Sequence, residues 1–255
     1  MAAVEKARLD VLLVERGLAA SRERARALIL AGRVLVNEQK ADKPGVSVPA
    51  DAPIRMLGED LPFVSRGGLK LAAALDHWKI DVRDRACLDV GASTGGFTDC
   101  LLQHGAARVT AVDTGFGQIA MKLRSDSRVR LMERTNARLL EPGSLVGLAD
   151  WPDPTLLVMD VSFISAALVL PPVFEAAPSL REAVILVKPQ FEAGREHVGK
   201  GGIVRDPAAH DMAIRRVEDC VLELGLVVAG VIPSPITGME GNQEFLLCAS
   251  RPDPS

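Results

Sequence analysis

Tyrosine is absent from this 255-residue chain, and aromatic residues make up only 4% of it, as seven Phe and two Trp. Stacking on a planar ligand must come from those few side chains, or from His and Arg. Cysteine is also scarce. Cys87, Cys100, Cys220 and Cys248 form no C-x-x-C pair, which argues against a zinc ribbon or a disulfide framework and predicts reduced core thiols with no metal required. No uncharged apolar run approaches the roughly 18 residues of a membrane span. The opening stretch MAAVEKARLDVLL carries charges inside its apolar part, unlike a signal peptide. The expectation is a soluble, cytoplasmic protein that engages no membrane. A G-x-G-x-x-G fingerprint is missing as well, which argues against an NAD or FAD site. Internal repeats and low-complexity tracts are absent.

What is present suffices for a large core, because 48% of the residues are hydrophobic. The net charge of −3 is unevenly spread. Residues 1–35 carry seven Lys/Arg against four acids, a local +3, so the remainder carries −6. This pattern describes a basic head on an acidic body. Residues 1–60 read as a small separate module. Leu9, Leu12, Leu13 and Val14 share a helix face. Ser21 is placed to cap a second helix that ends at Gly32. Short strands are expected over Arg33–Asn37, Val46–Val48 and Ile54–Leu57, punctuated by Pro44, Gly45, Pro49 and Pro53. Gly58-Glu59-Asp60-Leu61-Pro62 reads as a linker, residues 58–63 at most, and the second domain spans 61–255.

Beyond the linker, strand and helix signals alternate. Strands are expected near 87–90, 108–113, 129–133, 155–160 and 183–188. Helices are expected over 69–78 and near 96–104, 117–124, 165–177 and 207–224. This alternation predicts an α/β domain with a mainly parallel sheet covered on both faces. The end differs, since Leu226–Ile232 and Phe245–Ala249 read as two strands with no helix between them. A terminal antiparallel hairpin on a parallel sheet is the mark of class I methyltransferases.

The stretch Asp89-Val90-Gly91-Ala92-Ser93-Thr94-Gly95-Gly96-Phe97 follows an apolar strand and opens a helix. Its glycines permit a sharp turn and close approach of a ligand, and the free N–H groups of the helix start favour a polar or anionic group. A nucleotide-like cofactor fits this layout. Asp113, 22 residues after Gly91, ends the second strand, where a carboxylate can accept hydrogen bonds from ribose hydroxyls; a helix cap is its bland alternative. Asn136, after the third strand, is the candidate for reading an adenine edge. Asp160 ends the fourth strand, in the crevice where α/β sheets bind ligands. Lys188 follows four apolar residues of the fifth strand and needs a partner there, which Asp160 would supply. Taken singly, Lys70 and Glu244 read as surface charges. Together with Asp160 and Lys188 they form a K-D-K-E order.

With these segments in place, the chain closely resembles the TlyA family, S4-domain-containing rRNA 2′-O-methyltransferases related to the FtsJ/RrmJ group. The resemblance covers nearly the whole chain, through Arg8-Leu9-Asp10, Ser21-Arg22, Val64 to Gly68, Asp89 to Asp99, Ala111-Val112-Asp113, Glu133 to Asn136, Asp160 to Ser165, Val187 to Arg195, Val198 to Pro207, Ser234 to Gly238 and Gly241 to Leu247. It implies a Rossmann-like seven-stranded methyltransferase domain preceded by a small α+β S4 RNA-binding domain. It implies S-adenosylmethionine (SAM) as cofactor, held by Asp89, Gly91, Ala92, Ser93, Gly95, Gly96, Phe97, Asp113, Asn136 and Asp160. It also implies a catalytic tetrad of Lys70, Asp160, Lys188 and Glu244, and cytidines of ribosomal RNA as targets, in the large subunit and in some members also the small one. The family's older haemolysin label finds no spanning segment in this sequence.

A ribose 2′-hydroxyl is a poor nucleophile, so methyl transfer needs help with its proton. Lys188 is assigned as base or hydroxyl-orienting group, with Asp160 positioning it and favouring a sulfonium, and Lys70 and Glu244 positioning the ribose. Phosphate contacts are expected from Arg8, Ser21, Arg22 and Lys40 in the head, and from Arg66, Arg195, Lys200 and Arg205 in the body. The 190–207 segment reads as a mobile rim. The partners expected are ribosomal RNA or ribosomal subunits, and the chain is expected to be a monomer. Two other readings stand beside this one: a SAM-dependent methyltransferase of a small molecule, and a non-catalytic RNA- or ribosome-binding protein with a vestigial cofactor site.

Overall fold

A computed structural model describes residues 6–19, 21–57, 61–238 and 241–252, apart from the side chain of Arg195. The expected linker lies partly outside these residues, at 58–60. The chain divides into two compact units between Asp60 and Leu61.

The first unit contains β1 (Lys6–Arg8), α1 (Leu9–Glu15), α2 (Arg22–Leu30), β2 (Val34–Val36), β3 (Gln39–Lys40), β4 (Ser47–Pro49) and β5 (Ile54–Met56). Strand β1 pairs with β4, and β2 lies between β3 and β5. Leu9, Leu12 and Leu13 of α1 pack on Ala25, Leu28 and Ile29 of α2 and on Val34 and Val48. Ser21 caps α2, its hydroxyl oxygen accepting from Arg24 N at 3.1 Å. Strands β1 and β3, of three and two residues, were not expected; they are too short to show any alternation.

The second unit contains α3 (Gly67–Trp78), β6 (Ala86–Val90), α4 (Gly96–Gln103), β7 (Arg108–Val112), α5 (Met121–Arg124), β8 (Val129–Met132), β9 (Leu156–Met159), α6 (Leu170–Ala176), β10 (Glu182–Val187), α7 (Pro189–Glu192), α8 (Pro207–Glu223), β11 (Val227–Pro233) and β12 (Phe245–Ser250). The strands form one seven-stranded sheet in the order β11-β12-β10-β9-β6-β7-β8. Only β12 runs antiparallel to its neighbours, β10 and β11. This is the class I methyltransferase sheet with its terminal hairpin.

The central strands are apolar throughout because both faces are covered. Leu157 and Met159 of β9 and Ala183, Ile185 and Val187 of β10 join the core formed with α6 and α8. Their alternates Leu156, Val158, Val184 and Leu186 join the core formed with α3 and α4. Helix α8 is capped by Asp206, whose side chain accepts from Ala208 N at 2.9 Å, and carries Pro207 in its first turn.

Three expected elements need correction. The helix near 117–124 is only Met121–Arg124, since Gly117 sits at φ +71° and Phe116 belongs to a loop. The helix near 165–177 is a 3-10 turn, Ala166–Leu168, followed by α6 with Pro in its first turn. The 190–207 segment is not all loop, because it contains the end of α7 and a 3-10 turn at Arg195–His197.

Candidate active site

The glycine turn links β6 to α4. Gly91 sits at φ +86° and Gly95 at φ +94°, where side chains are disfavoured. A Cβ at Gly91 would collide with the Asp160 carbonyl, so only glycine lets the turn lie against the end of β9. Asp113 secures the turn. Its Oδ2 accepts from Ser93 N at 2.8 Å and its Oδ1 from Gly115 N at 2.6 Å. Each oxygen keeps a second lone pair for a ligand hydroxyl. Asn136 is exposed and its Oδ1 caps a 3-10 turn, accepting from Arg138 N at 3.1 Å; its NH2 group is left to donate.

Asp89 is fully buried at the end of β6 and accepts from Thr98 Oγ1 at 2.6 Å. Burial pushes its carboxyl up to about 7, and nearby Asp160 and Asp113 add repulsion while Thr98 opposes the rise. Among the described residues, three buried side-chain oxygens have no hydrogen-bond partner: Asp89 Oδ1, Asp160 Oδ1 and Gln190 Oε1. They lie at or just beyond the carboxyl ends of β6, β9 and β10. Asp160 Oδ1 has the Lys188 ammonium beside it, but the other two are unpaired, and an orphaned buried acceptor costs about 1–3 kcal/mol, which a ligand bringing cationic or N–H groups would offset.

The K-D-K-E residues meet at the same sheet edge as two ion pairs. Lys188 Nζ lies 2.5 Å from Asp160 Oδ1, off the hydrogen-bonding direction, and donates to Ser162 Oγ at 2.7 Å. Lys70 Nζ donates to Glu244 Oε2 at 2.5 Å, with the two residues 8% and 2% exposed. The sheet register explains the meeting. Val187 pairs with Phe245, and Lys188 and Glu244 are the next residues outward on the two strands. Lys70 reaches Glu244 from the first turns of α3, which packs on β12.

Ser162, Glu192 and Asn242 escaped the sequence reading. Asn242, 1% exposed, accepts from Val204 N at 2.9 Å and donates to Gly202 O at 2.8 Å. It thereby anchors the rim that carries Lys200 and Arg205, both exposed. The rim's return is tied to the segment that delivers Glu244. Phe163, 93% exposed at φ +65°, stands directly beyond Ser162. An aromatic side chain held in a strained conformation and turned to solvent suits stacking on a ligand.

The sites expected to grip phosphate are engaged in different ways. Arg8 and Arg22 both hold Asp10, which is buried. Arg8 donates to it at 3.0 and 2.9 Å and Arg22 at 3.3 and 3.2 Å, and the Arg8 hydrogen bond leads in lowering its carboxyl to about 2. Two guanidinium groups on one carboxylate keep a net positive charge, and both remain half exposed. Ser21 spends its acceptor on the helix cap but keeps its O–H. Arg66 is exposed and donates to Thr237 O at 3.1 Å. Lys40 is exposed on β3. The Arg195 side chain lies outside the described residues.

The family model for FtsJ-like methyltransferases matches residues 63–251. The chain belongs to the FtsJ-like methyltransferase family. It is therefore an enzyme that transfers methyl groups, and an S4 domain model matches residues 7–54 ahead of the FtsJ-like part. The chain is 46% identical over 243 residues to the Mycobacterium tuberculosis 16S/23S rRNA (cytidine-2'-O)-methyltransferase TlyA, covering 95% of this chain and 89% of that one. This makes it an FtsJ-like methyltransferase of the TlyA type. A solved structure of a Streptococcus thermophilus protein proposed to be a hemolysin matches with a TM-score of 0.72 and 43% identity, covering 98% of this chain and 90% of that one. The S-adenosylmethionine-dependent methyltransferase of Mesorhizobium loti shares the fold, with a TM-score of 0.51 at 14% identity over 70% of this chain and 96% of that one. Among the described residues, no helix of this FtsJ-like chain is long and apolar enough to cross a membrane.

The raised Asp89 carboxyl has a measurable consequence. A cation bound nearby favours the carboxylate, so binding expels the proton that Asp89 holds below about pH 7. Affinity for a cationic ligand bound there should then rise from about pH 6 to 7 and level off by about pH 8. Asp89→Asn should flatten that rise. Calorimetric titration across this range checks it, and equal affinity of the parent protein at both ends would contradict it.

Proposed function

We propose that this protein methylates the 2′-hydroxyl of a cytidine ribose in ribosomal RNA, with SAM as methyl donor. The observation that carries the reading is the setting of Lys188, which is held between Asp160 and Ser162 beside the buried Lys70–Glu244 pair. An ammonium has three donors. Ser162 takes one of them and the Asp160 carboxylate faces the ammonium as an ion pair, which leaves a donor for a substrate hydroxyl. Lys188 aligns that hydroxyl and manages its proton as the bond to the methyl carbon forms. Lys70 and Glu244 fix the ribose, and Phe163 supports the base.

The donor set fits SAM. The orphaned oxygen of Asp89 and the carboxylate of Asp160 suit its ammonium and sulfonium charges, Asp113 its ribose, and Asn136 its adenine edge. When bound there, SAM supplies an electrophilic methyl group. The main contribution of the protein is to place the hydroxyl in line with it. The two compact units divide the work, residues 1–60 gripping RNA and 61–255 carrying out transfer, in a cytoplasmic monomer that needs no metal. The large-subunit RNA is the primary substrate, and the small subunit is a second one to be assayed.

Incubation with methyl-labelled SAM and ribosomal RNA, free or in subunits, tests the reading. Label should enter the RNA. Label entering only free nucleosides would favour a small-molecule enzyme, and none at all a vestigial site. Binding to RNA should also weaken steeply as salt rises, since phosphate contacts release counterions. Lys40→Ala should reduce the slope of log affinity against log salt by about 1. A salt-independent affinity would remove the basic head from the account.

A further inference from the structure

Two segments leave adjacent strands at the catalytic edge, residues 160–166 after β9 and 188–192, which holds α7, after β10. They are joined at both ends. At the near end, Lys188 meets Asp160 and Ser162. At the far end, Glu192 receives two bonds, from Ser165 Oγ to Oε2 and from Ala166 N to Oε1, each of 2.5 Å. Between the joints the rings of Phe163 and Phe191 lie 5.6 Å apart. Glu192 is 3% exposed, and burial raises its carboxyl above the usual range. Arg216 of α8 steadies it, donating to the Glu192 carbonyl at 3.1 Å with its Nε 3.9 Å from Oε2.

A buried carboxylate is a costly way to close a loop, so its placement calls for a reason. The arc it closes holds Phe163 at φ +65°. Such strain persists only where the surroundings over-determine it. The arc also carries Ser162, which fixes the Lys188 ammonium. A planar side chain with two polar atoms, one of them an acceptor for the amide, can bond both the Ser165 hydroxyl and the Ala166 amide at the turn into the following 3-10 helix.

We propose that Glu192 is a positioning residue for methyl transfer: it holds the 160–166 arc so that Ser162 meets Lys188 and Phe163 keeps its strained, exposed conformation. The proposal rests on the reading of Lys188 given above.

The test uses the full chain, with Glu192→Ala, Glu192→Gln, Ser165→Ala and Lys188→Ala compared for kcat, KM for RNA, SAM affinity and Tm. Glu192→Ala should lose about 10- to 100-fold in kcat, the scale of a misplacement of about 1 Å, with SAM affinity within about threefold. Glu192→Gln should recover most of kcat, because its amide oxygen accepts from Ala166 while its NH2 donates to Ser165. The pH profile of kcat should keep its shape in the Gln variant. If Glu192→Ala fails to fold, Glu192→Gln and Ser165→Ala decide, the latter losing several-fold in kcat at unchanged SAM affinity. A folded Glu192→Ala with parental kcat overturns the proposal. So does parental kcat in Ser165→Ala, or a Gln variant that loses rate together with an inflection in its pH profile, which would mark Glu192 as an acid or base. Full activity of Lys188→Ala beside a weak Glu192→Ala would instead sink the assignment of Lys188, and with it the Ser162–Lys188 half of the proposal, leaving only the hold on Phe163.

Discussion

Lys188→Ala is expected to lower RNA methylation by about 10²- to 10⁴-fold, the range set by a positioned proton-transfer group, while SAM binding stays nearly intact. The asymmetry follows from the site. Lys188 contacts Asp160 and Ser162, whereas the glycine turn is secured by Asp113 and by its packing on the end of β9. Removing the ammonium frees Asp160 to meet a sulfonium, so affinity for the cofactor should hold or rise slightly. Single-turnover rates with bound RNA and a parallel cofactor titration separate the two effects. A rate near that of the parent protein would exclude Lys188 from the chemistry.

The second large effect concerns the Lys70–Glu244 pair. Both partners are buried, so replacing one strands the other charge, at a cost of about 3–5 kcal/mol. Lys70→Met and Glu244→Leu should each lower Tm by roughly 10 °C, given about 2–4 °C per kcal/mol for a domain of this size. The double variant should recover most of that stability, since two apolar side chains fill the same space without a stranded charge. It should not recover methylation. Thermal melts and turnover of the three variants check both halves. A stable double variant with parental activity would show that the pair only holds β12 to α3.

The sheet could be read from the sequence because buried parallel strands are long apolar runs, and β9 and β10 are buried on both faces. The glycine turn was legible because backbone positions at positive φ leave a residue-type signature. Asp160 and Lys188 stood out as charges at the ends of apolar strands. Lys70 and Glu244 did not stand out alone, because their pairing spans 174 positions and only the resemblance joined them. Ser162, Glu192 and Asn242 gave no signal for the same reason, as single polar residues in loops whose partners lie far along the chain. Arg8 and Arg22 are expected from the sequence as phosphate contacts, and no pattern in it announces that Asp10 is buried between them. The helix expected over 165–177 was interrupted because the prolines at 171 and 172 favour a fresh helix start there over continuation.

Alkaline hydrolysis of ribosomal RNA treated with the protein and SAM tests the central claim most directly. A 2′-O-methyl group removes the nucleophile that cleaves the neighbouring phosphodiester bond. The ladder should therefore show a gap at a cytidine, present with the parent protein and absent with Lys188→Ala. An unbroken ladder despite methyl incorporation would place the methyl group on a base and contradict the account.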